Sequence, residues 1–337
     1  WEGVDMDIEP YRETGTFILK GVDELMALLD EHITMTQAMS FSAFKKHFEE
    51  RIEEWERTLK TVSDVLEEWI QVQRSWLYLQ PIFDSPDINR QLPTEGKRFA
   101  TVDKAWRQTL KAARARPRAI TFCDNQKLLE TFRDANAALD AVQKGLADYL
   151  ETKRAAFARF YFLSNDELLE ILSETKDPTR VQPHLGKCFE AIKTVDFSDS
   201  LSILRMNSSE GETVELQTVV DTGSVSVEVW MNTLESSMKE SVKYVMYQSI
   251  QDYAVAPRTQ WIQKWPGQCV LNGSQVHWTT EIEAALDERG LDGLRDYYEQ
   301  QVHQLEDMVR LVRGDLSKLA RTTIGALAVI DVHARDV

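Results

Sequence analysis

Long apolar runs are missing from this sequence. No stretch approaches the roughly 18 consecutive apolar residues that span a bilayer, so no membrane-crossing helix is expected. Cysteine is scarce. Cys123, Cys188 and Cys269 are odd in number, far apart and free of any C-x-x-C pair. They are read as reduced, packed thiols, not as a disulfide framework or a zinc site. Positive charge is short as well: 39 Lys and Arg stand against 55 Asp and Glu, a net charge of −16. That balance argues against binding nucleic acid or anionic lipid over the whole surface. An initiator Met, a basic leader and an apolar signal core are absent at Trp1, and the last residues stop inside a helical pattern. The chain is therefore expected to be an excerpt from a longer soluble protein, cytoplasmic or cytoskeletal.

Catalytic signatures are missing too. A phosphate-binding loop needs a Gly five residues before its Gly-Lys and a Ser or Thr after it. Around Gly96-Lys97 those positions hold Gln91 and Arg98; around Gly186-Lys187 they hold Val181 and Cys188. No G-x-S-x-G turn occurs, and none of the six histidines pairs with another His or Cys in a four-ligand pattern. Paired carboxylates such as Glu49-Glu50 and Glu67-Glu68 flank an apolar stripe and are read as solvated surface. No catalytic, cofactor-binding or metal residue is assigned, and no cofactor is expected in this segment.

What is present is the pattern of a folded helical protein. Hydrophobic residues make up 43% of 337, enough for two or more packed subdomains. From Phe41 to Gln80 there is no Gly or Pro. Phe41, Phe44, Phe48, Ile52, Trp55, Leu59, Val62, Leu66, Trp69, Val72 and Trp76 recur at steps of three and four, predicting one long helix that Pro81 ends. A turn-rich bridge over 85–96 leads to a second helix from about Lys97, carrying Phe99, Val102, Trp106, Leu110 and Ala113. A third should cap at Asp124 and carry Leu128, Phe132, Leu139, Val142 and Leu146. Phe157 and Phe160-Tyr161-Phe162-Leu163 read as a buried crossover. Ser164 and Glu167 have the spacing of a capping box for a helix stopped by Asp177-Pro178.

Near residue 199 the period changes to alternation, and Leu201–Met206 with Thr213–Val220 predict an antiparallel hairpin. Helix returns at about Val225. Trp261, Trp265-Pro266-Gly267 and Asn272-Gly273 mark an interruption, followed by helices over 275–288 and from Tyr298 to Leu319, then a stretch from Thr323. The fold class is mostly α: elongated multi-helix bundle subdomains in series, with a small antiparallel β-hairpin insertion at about 199–222. The divisions are an entry segment over 1–40, a helical bundle over 41–156, a middle region over 157–224 and a second bundle over 225–337.

One charge feature departs from the acidic background. Between Lys97 and Arg118 lie eight basic residues and a single acid, Asp103. Lys104, Arg107, Lys111, Arg114 and Arg118 fall on one stripe beside the apolar face. It is read first as solvated surface, next as a docking strip for an acidic protein surface, elsewhere in the same molecule or in another, and last as a nucleic-acid contact.

Several segments together resemble the linker region of dynein heavy chains. They are Trp76-Leu77-Tyr78-Leu79-Gln80-Pro81-Ile82-Phe83, Arg159 to Leu172 with Phe160, Tyr161, Phe162, Ser164 and Glu167, Val181-Gln182-Pro183-His184-Leu185, Ser208-Ser209-Glu210-Gly211-Glu212, and Ile330 to Val337. Ala158 stands where the family often has Pro. The wording is more similar to axonemal (ciliary) dyneins than to cytoplasmic ones. The resemblance implies a mechanical segment lying across a ring of ATPase modules, bending with nucleotide state to drive a microtubule motor of cilia or flagella. It implies as partners the ring of the same heavy chain, other dynein subunits or axonemal complexes, and the microtubule indirectly. ATP and Mg²⁺ would bind in the ring downstream. The competing reading is a static helical scaffold or adaptor, such as a coiled-coil platform. Neither reading includes nucleic acid or membrane as a partner.

Overall fold

The computed structural model describes residues 1–173 and 177–337. The chain divides into two compact units: Trp1–Thr152 with Leu172 and Ser173, and Lys153–Ile171 with 177–337. No helix among the described residues is long and apolar enough to cross a membrane.

The first unit opens with a β-hairpin and a helix in the stretch that the sequence pattern leaves as an entry segment. Strands β1 (Asp7–Tyr11) and β2 (Thr16–Lys20) pair antiparallel, with Asp7 opposite Lys20 and Tyr11 opposite Thr16. Gly21, at φ 60°, turns the chain into helix α1 (Val22–Ser40). Helix α2 then runs Glu49–Phe83, α3 Pro86–Gln91, α4 Pro93–Ala115, α5 Ala119–Cys123 and α6 Gln126–Ala156. The stripe Leu59, Val62, Leu66, Trp69, Val72 and Trp76 is buried as its spacing predicts. Trp69 is the hub of the core, with ring centroids 6.4 Å from Trp106 on α4, 6.0 Å from Phe122 on α5 and 5.3 Å from Phe132 on α6.

Several boundaries correct the sequence reading. The long helix starts at Glu49, not Phe41. Ser42 Oγ accepts the Phe44 amide, a local turn that competes with helix, and Phe41 and Phe44 are 89% and 87% exposed. This break lets α1 fold back and bury Leu25 and Leu29. Pro81 does not end the helix. It forfeits one amide in the last turn, and the chain stays helical to Phe83. The bridge over 85–96 is itself helical: Pro86 and Pro93 occupy first-turn positions, where no amide is needed, and Ser85 Oγ accepts from Ile88. The third helix is capped by Asn125, whose Oδ1 accepts from Leu128, one residue after the expected Asp124.

In the second unit the aromatic crossover is a short 3₁₀ turn over Ala158–Phe162. Phe157, Phe160 and Leu163 are buried, but Tyr161 and Phe162 are 56% and 65% exposed, because so short a turn hides one side. Helix α7 (Asn165–Ser173) and α8 (Leu185–Cys188) precede a sheet of three strands, not two: β3 (Ile192–Phe197), β4 (Ile203–Ser208) and β5 (Thr213–Val220), all antiparallel in that order. The residues between Ser173 and Asp177, where the sequence expects the end of α7, lie outside the described residues. Strand β3 escapes the alternation test because register shifts at Ile192/Thr194 and Asp196/Phe197 break its period of two. Helix α9 (Val227–Tyr253) covers the sheet. Its Ser241 Oγ accepts from Gln217 N at 2.8 Å, and its Ser237 Oγ donates to Thr218 O at 2.6 Å.

Helices α10 (Arg258–Lys264), α11 (Gly267–Val312) and α12 (Lys318–Asp336) build a separate core from Trp261, Ile262, Val270, Met308, Ile324 and Leu327. Asn272-Gly273 does not interrupt the chain. Gly273 is helical and lies flat against Trp261, where a Cβ would come within 2.9 Å of the indole. The real break in α11 is Gly290, at φ 60° and ψ −137°, a region open essentially to glycine alone. There the helix doubles back, with Gly293 against the Ala285 carbonyl and Gln300 beside Glu281. The returning arm stops at Val312. Leu316 sits in a loop and Leu319 belongs to α12, so the expected helix from Tyr298 to Leu319 is cut at Gly314.

The two glycine environments predict opposite outcomes for one substitution. Gly290→Ala should lower stability by about 1–3 kcal/mol. Gly325→Ala, on the exposed face of α12 with nothing nearby, should raise it by about 0.5–1 kcal/mol. Denaturant midpoints followed by tryptophan fluorescence check both signs.

Candidate functional site

The basic strip lies along α4, whose apolar face Phe99, Val102, Trp106, Leu110 and Ala113 is buried. Arg107 sits at the strip's centre. Its Nε donates to Asp103 Oδ1 and Oδ2 at 3.0 and 2.8 Å, and its Nη1 donates to Thr14 O at 2.6 Å in the turn between β1 and β2. Asp103 also accepts the Trp76 indole N–H at 2.8 Å, so the one acid in the strip ties α2, α4 and the hairpin together. The Arg114 guanidinium lies over the Phe17 ring of β2, 4.4 Å from its centroid. Arg118, just past α4, pairs with Asp5 at 3.0 Å. Met6 N–Pro117 O and Ala119 N–Val4 O bonds flank that pair.

Three of the five strip cations are thus engaged by residues 5–17 of the same chain, and Lys104 and Lys111 remain exposed. Each exposed ion pair is worth ~0–1 kcal/mol; the hairpin is held by the sum of these contacts and by its edge. That edge carries a feature sequence reasoning did not reach. The Gln73 amide of α2 accepts from Leu19 N and donates to Leu19 O, both at 2.8 Å, finishing the outer side of β2 as a further strand would. A Gln between two apolar positions of a helical stripe was the one available signal.

The other residues singled out by the sequence fall in different places. Trp76 is fully buried and Tyr78, two residues on, faces outward. In the second unit, Ser164 and Glu167 form the expected capping box: Ser164 N donates to Glu167 Oε2 at 3.0 Å and Glu167 N to Ser164 Oγ at 3.3 Å. A hydrogen bond from the Lys187 ammonium, then that from the Ser164 amide, hold the Glu167 carboxyl down to about 2. Phe160 is buried, with Tyr161 and Phe162 on the outside. The three thiols are buried, and burial pushes Cys123 up to about 12 and Cys188 and Cys269 to about 11, which makes poor nucleophiles of them.

The start of the long stripe is a second surface. Phe44, Phe48, Ile52 and Trp55, expected in the core, line an open groove of about 990 Å³ together with Met39 of α1. Phe44 and Phe48 are 87% and 55% exposed there, and Ile52 and Trp55 are half-buried.

The two lysines of the strip and Arg107 should respond differently to charge reversal. Arg107→Glu should place a carboxylate beside Asp103 and orphan the Thr14 carbonyl, lowering stability by about 2–4 kcal/mol. Lys104→Glu and Lys111→Glu should stay within about 0.5 kcal/mol of the parent. Thermal unfolding, with amide exchange of the hairpin as the local readout, separates them.

Comparison with known proteins places these elements. A family model described as "Dynein heavy chain, N-terminal region 2" matches residues 1–249. Over its whole length the chain is 51% identical to Dynein axonemal heavy chain 1 of Rattus norvegicus, across 337 residues. It is 48% identical to Dynein axonemal heavy chain 12 of Homo sapiens and 46% to Dynein axonemal heavy chain 3 of Mus musculus, each across 339 residues and all of the chain. It spans 7%, 11% and 8% of the length of those relatives. The chain belongs to the dynein heavy chain family, as a segment of an axonemal heavy chain.

Proposed function

We propose that the segment is the mechanical linker of a dynein heavy chain, bending and straightening across an ATPase ring to produce the power stroke of a ciliary or flagellar microtubule motor. One observation carries this reading: a chain of this family divides into two compact units, each with its own core. A lever that bends needs two stiff bodies and a joint. The first body is built on α2, α4 and α6 around Trp69, the second on α9 to α12 around Trp261. The chain leaves the first unit at Thr152–Lys153 and re-enters it at Ile171–Leu172. The irregular stretch from Phe157 to Val225 is the other place where long helices give way. Its sheet is clamped to α9 by Ser237 and Ser241 and moves with the second body.

In this reading the segment hydrolyses nothing. ATP and Mg²⁺ bind in the ring of the same heavy chain, and that ring is the direct partner. Other dynein subunits and neighbouring axonemal complexes are further partners, the microtubule is reached indirectly, and the location is the axoneme.

Dyes on Glu67→Cys in α2 and Glu299→Cys in α11, both exposed positions, test this in an intact heavy chain. Transfer efficiency should differ between no nucleotide, a non-hydrolysed ATP analogue and a transition-state mimic. One distance in all three states would mean a rigid strut and favour the static scaffold.

A further inference from the structure

Helix α12 is held unevenly. Its first half is anchored by apolar burial of Ile324 and Leu327 and by Arg321, which donates to the Val312 and Gly314 carbonyls. From Ala328 to Asp336 no residue is fully buried, and Val329 and Val332 face outward. One polar cluster nevertheless grips this second half. Arg258 Nη2, at the start of α10, donates to Asp331 Oδ2 at 2.6 Å and to Ser274 Oγ of α11 at 3.1 Å. Ser274 Oγ donates in turn to Asp331 Oδ1 at 3.2 Å. The Arg258 and Asp331 side chains are only 13% and 12% exposed, close to the Lys153–Glu228 pair at 16% and 13% and unlike the more exposed pairs.

The cluster also has donors to spare. Arg258 Nε and Nη1 and Trp278 Nε1 are buried, and no well-formed hydrogen bond closes on them among the described residues, although the Tyr253 hydroxyl lies beside the guanidinium. They border a cavity of about 10 Å³ lined by Tyr253, Arg258, Ser274, Trp278, Gln301 and Gln304. That is room for a single water, and the lining amides and hydroxyls give it the two to four partners it needs.

We propose that Arg258, Ser274 and Asp331, completed by one ordered water, form a buried latch that fixes the direction of the second half of α12 and carries strain through it. The carrying of strain rests on the linker reading; the latch itself does not. The physical case is asymmetry. Apolar packing is non-directional and lets a helix pivot or slide, whereas a desolvated ion pair tied to a third helix has one satisfied geometry. Removing one partner leaves an uncompensated charge in a low-dielectric site; removing both does not. Arg258 and Asp331 are therefore positioning residues.

The test uses the intact heavy chain with Asp331→Asn, Arg258→Gln and the double variant. In each single variant, amide exchange across 328–336 should rise at least about tenfold while exchange in α9 stays unchanged. The double variant, neutral on both sides, should recover part of that protection. ATP turnover should stay within roughly twofold in the single variants while microtubule gliding slows more than about threefold. Unchanged exchange at 328–336 in Asp331→Asn would falsify the latch, and so would an equal rise in α9, which would mean general loosening. Faster exchange with normal gliding would overturn the strain-carrying role. A nucleotide-independent dye distance in the parent motor would instead overturn the linker reading, with the exchange result still standing for the latch.

Discussion

A backbone amide or carbonyl taken out of water must find a partner, and the two small sheets among the described residues cannot supply enough of them. A two-stranded hairpin is marginal alone, and a three-stranded sheet still has two open edges. Helix side chains close the deficit. Gln73 of α2 finishes β2 at Leu19, and Ser237 and Ser241 of α9 finish β5 at Thr218 and Gln217. Glu212, in the turn between β4 and β5, accepts the Gly267 amide at 2.6 Å and so caps α11. Each small β element is thereby fastened to the helices of its own unit.

The same economy governs charge. The chain carries −16 overall, yet its one basic strip does not stand free. Asp103, the single acid within it, orients Arg107 while satisfying the Trp76 indole. The strip then accepts the acidic and aromatic residues of β1 and β2: Asp5 on Arg118 and Phe17 under Arg114. In the second unit the corresponding device is buried, where Arg258 and Asp331 join α10 to α12. Exposed pairs of the first kind tune and orient; a desolvated pair of the second kind costs more to break and so defines one arrangement.

For a segment of a dynein heavy chain, these fastenings matter more than any single contact. No metal-holding cluster of His, Cys, Asp or Glu occurs among the described residues. The candidate site consists of surfaces and ties, and its chemistry is that of holding elements in register. Glycines supply the sharp geometry: Gly21 and Gly290 adopt positive φ where the chain enters α1 and where α11 doubles back.

The sequence by itself determined the helices whose signal is local. The stripes of α2, α4 and α6, the capping box at Ser164 and Glu167, and the strand Thr213–Val220 were legible because a period of 3.6 or 2 and a three-residue cap spacing need nothing distant. The strip cations were legible as charges, and the family as an ordered series of motifs. Tertiary structure decided the rest. The hairpin over Asp7–Lys20 is too short to announce itself, β3 hides its alternation behind bulges, and Pro81, Pro86 and Pro93 are tolerated because of where they sit in a helix. What each polar group touches was decided over long separations: 54 residues from Leu19 to Gln73, 93 from Thr14 to Arg107, 73 from Arg258 to Asp331. Periodicity encodes which face of an element avoids water. It carries no term for which distant backbone group or opposite charge will arrive to satisfy a side chain, and that is set when the helices pack.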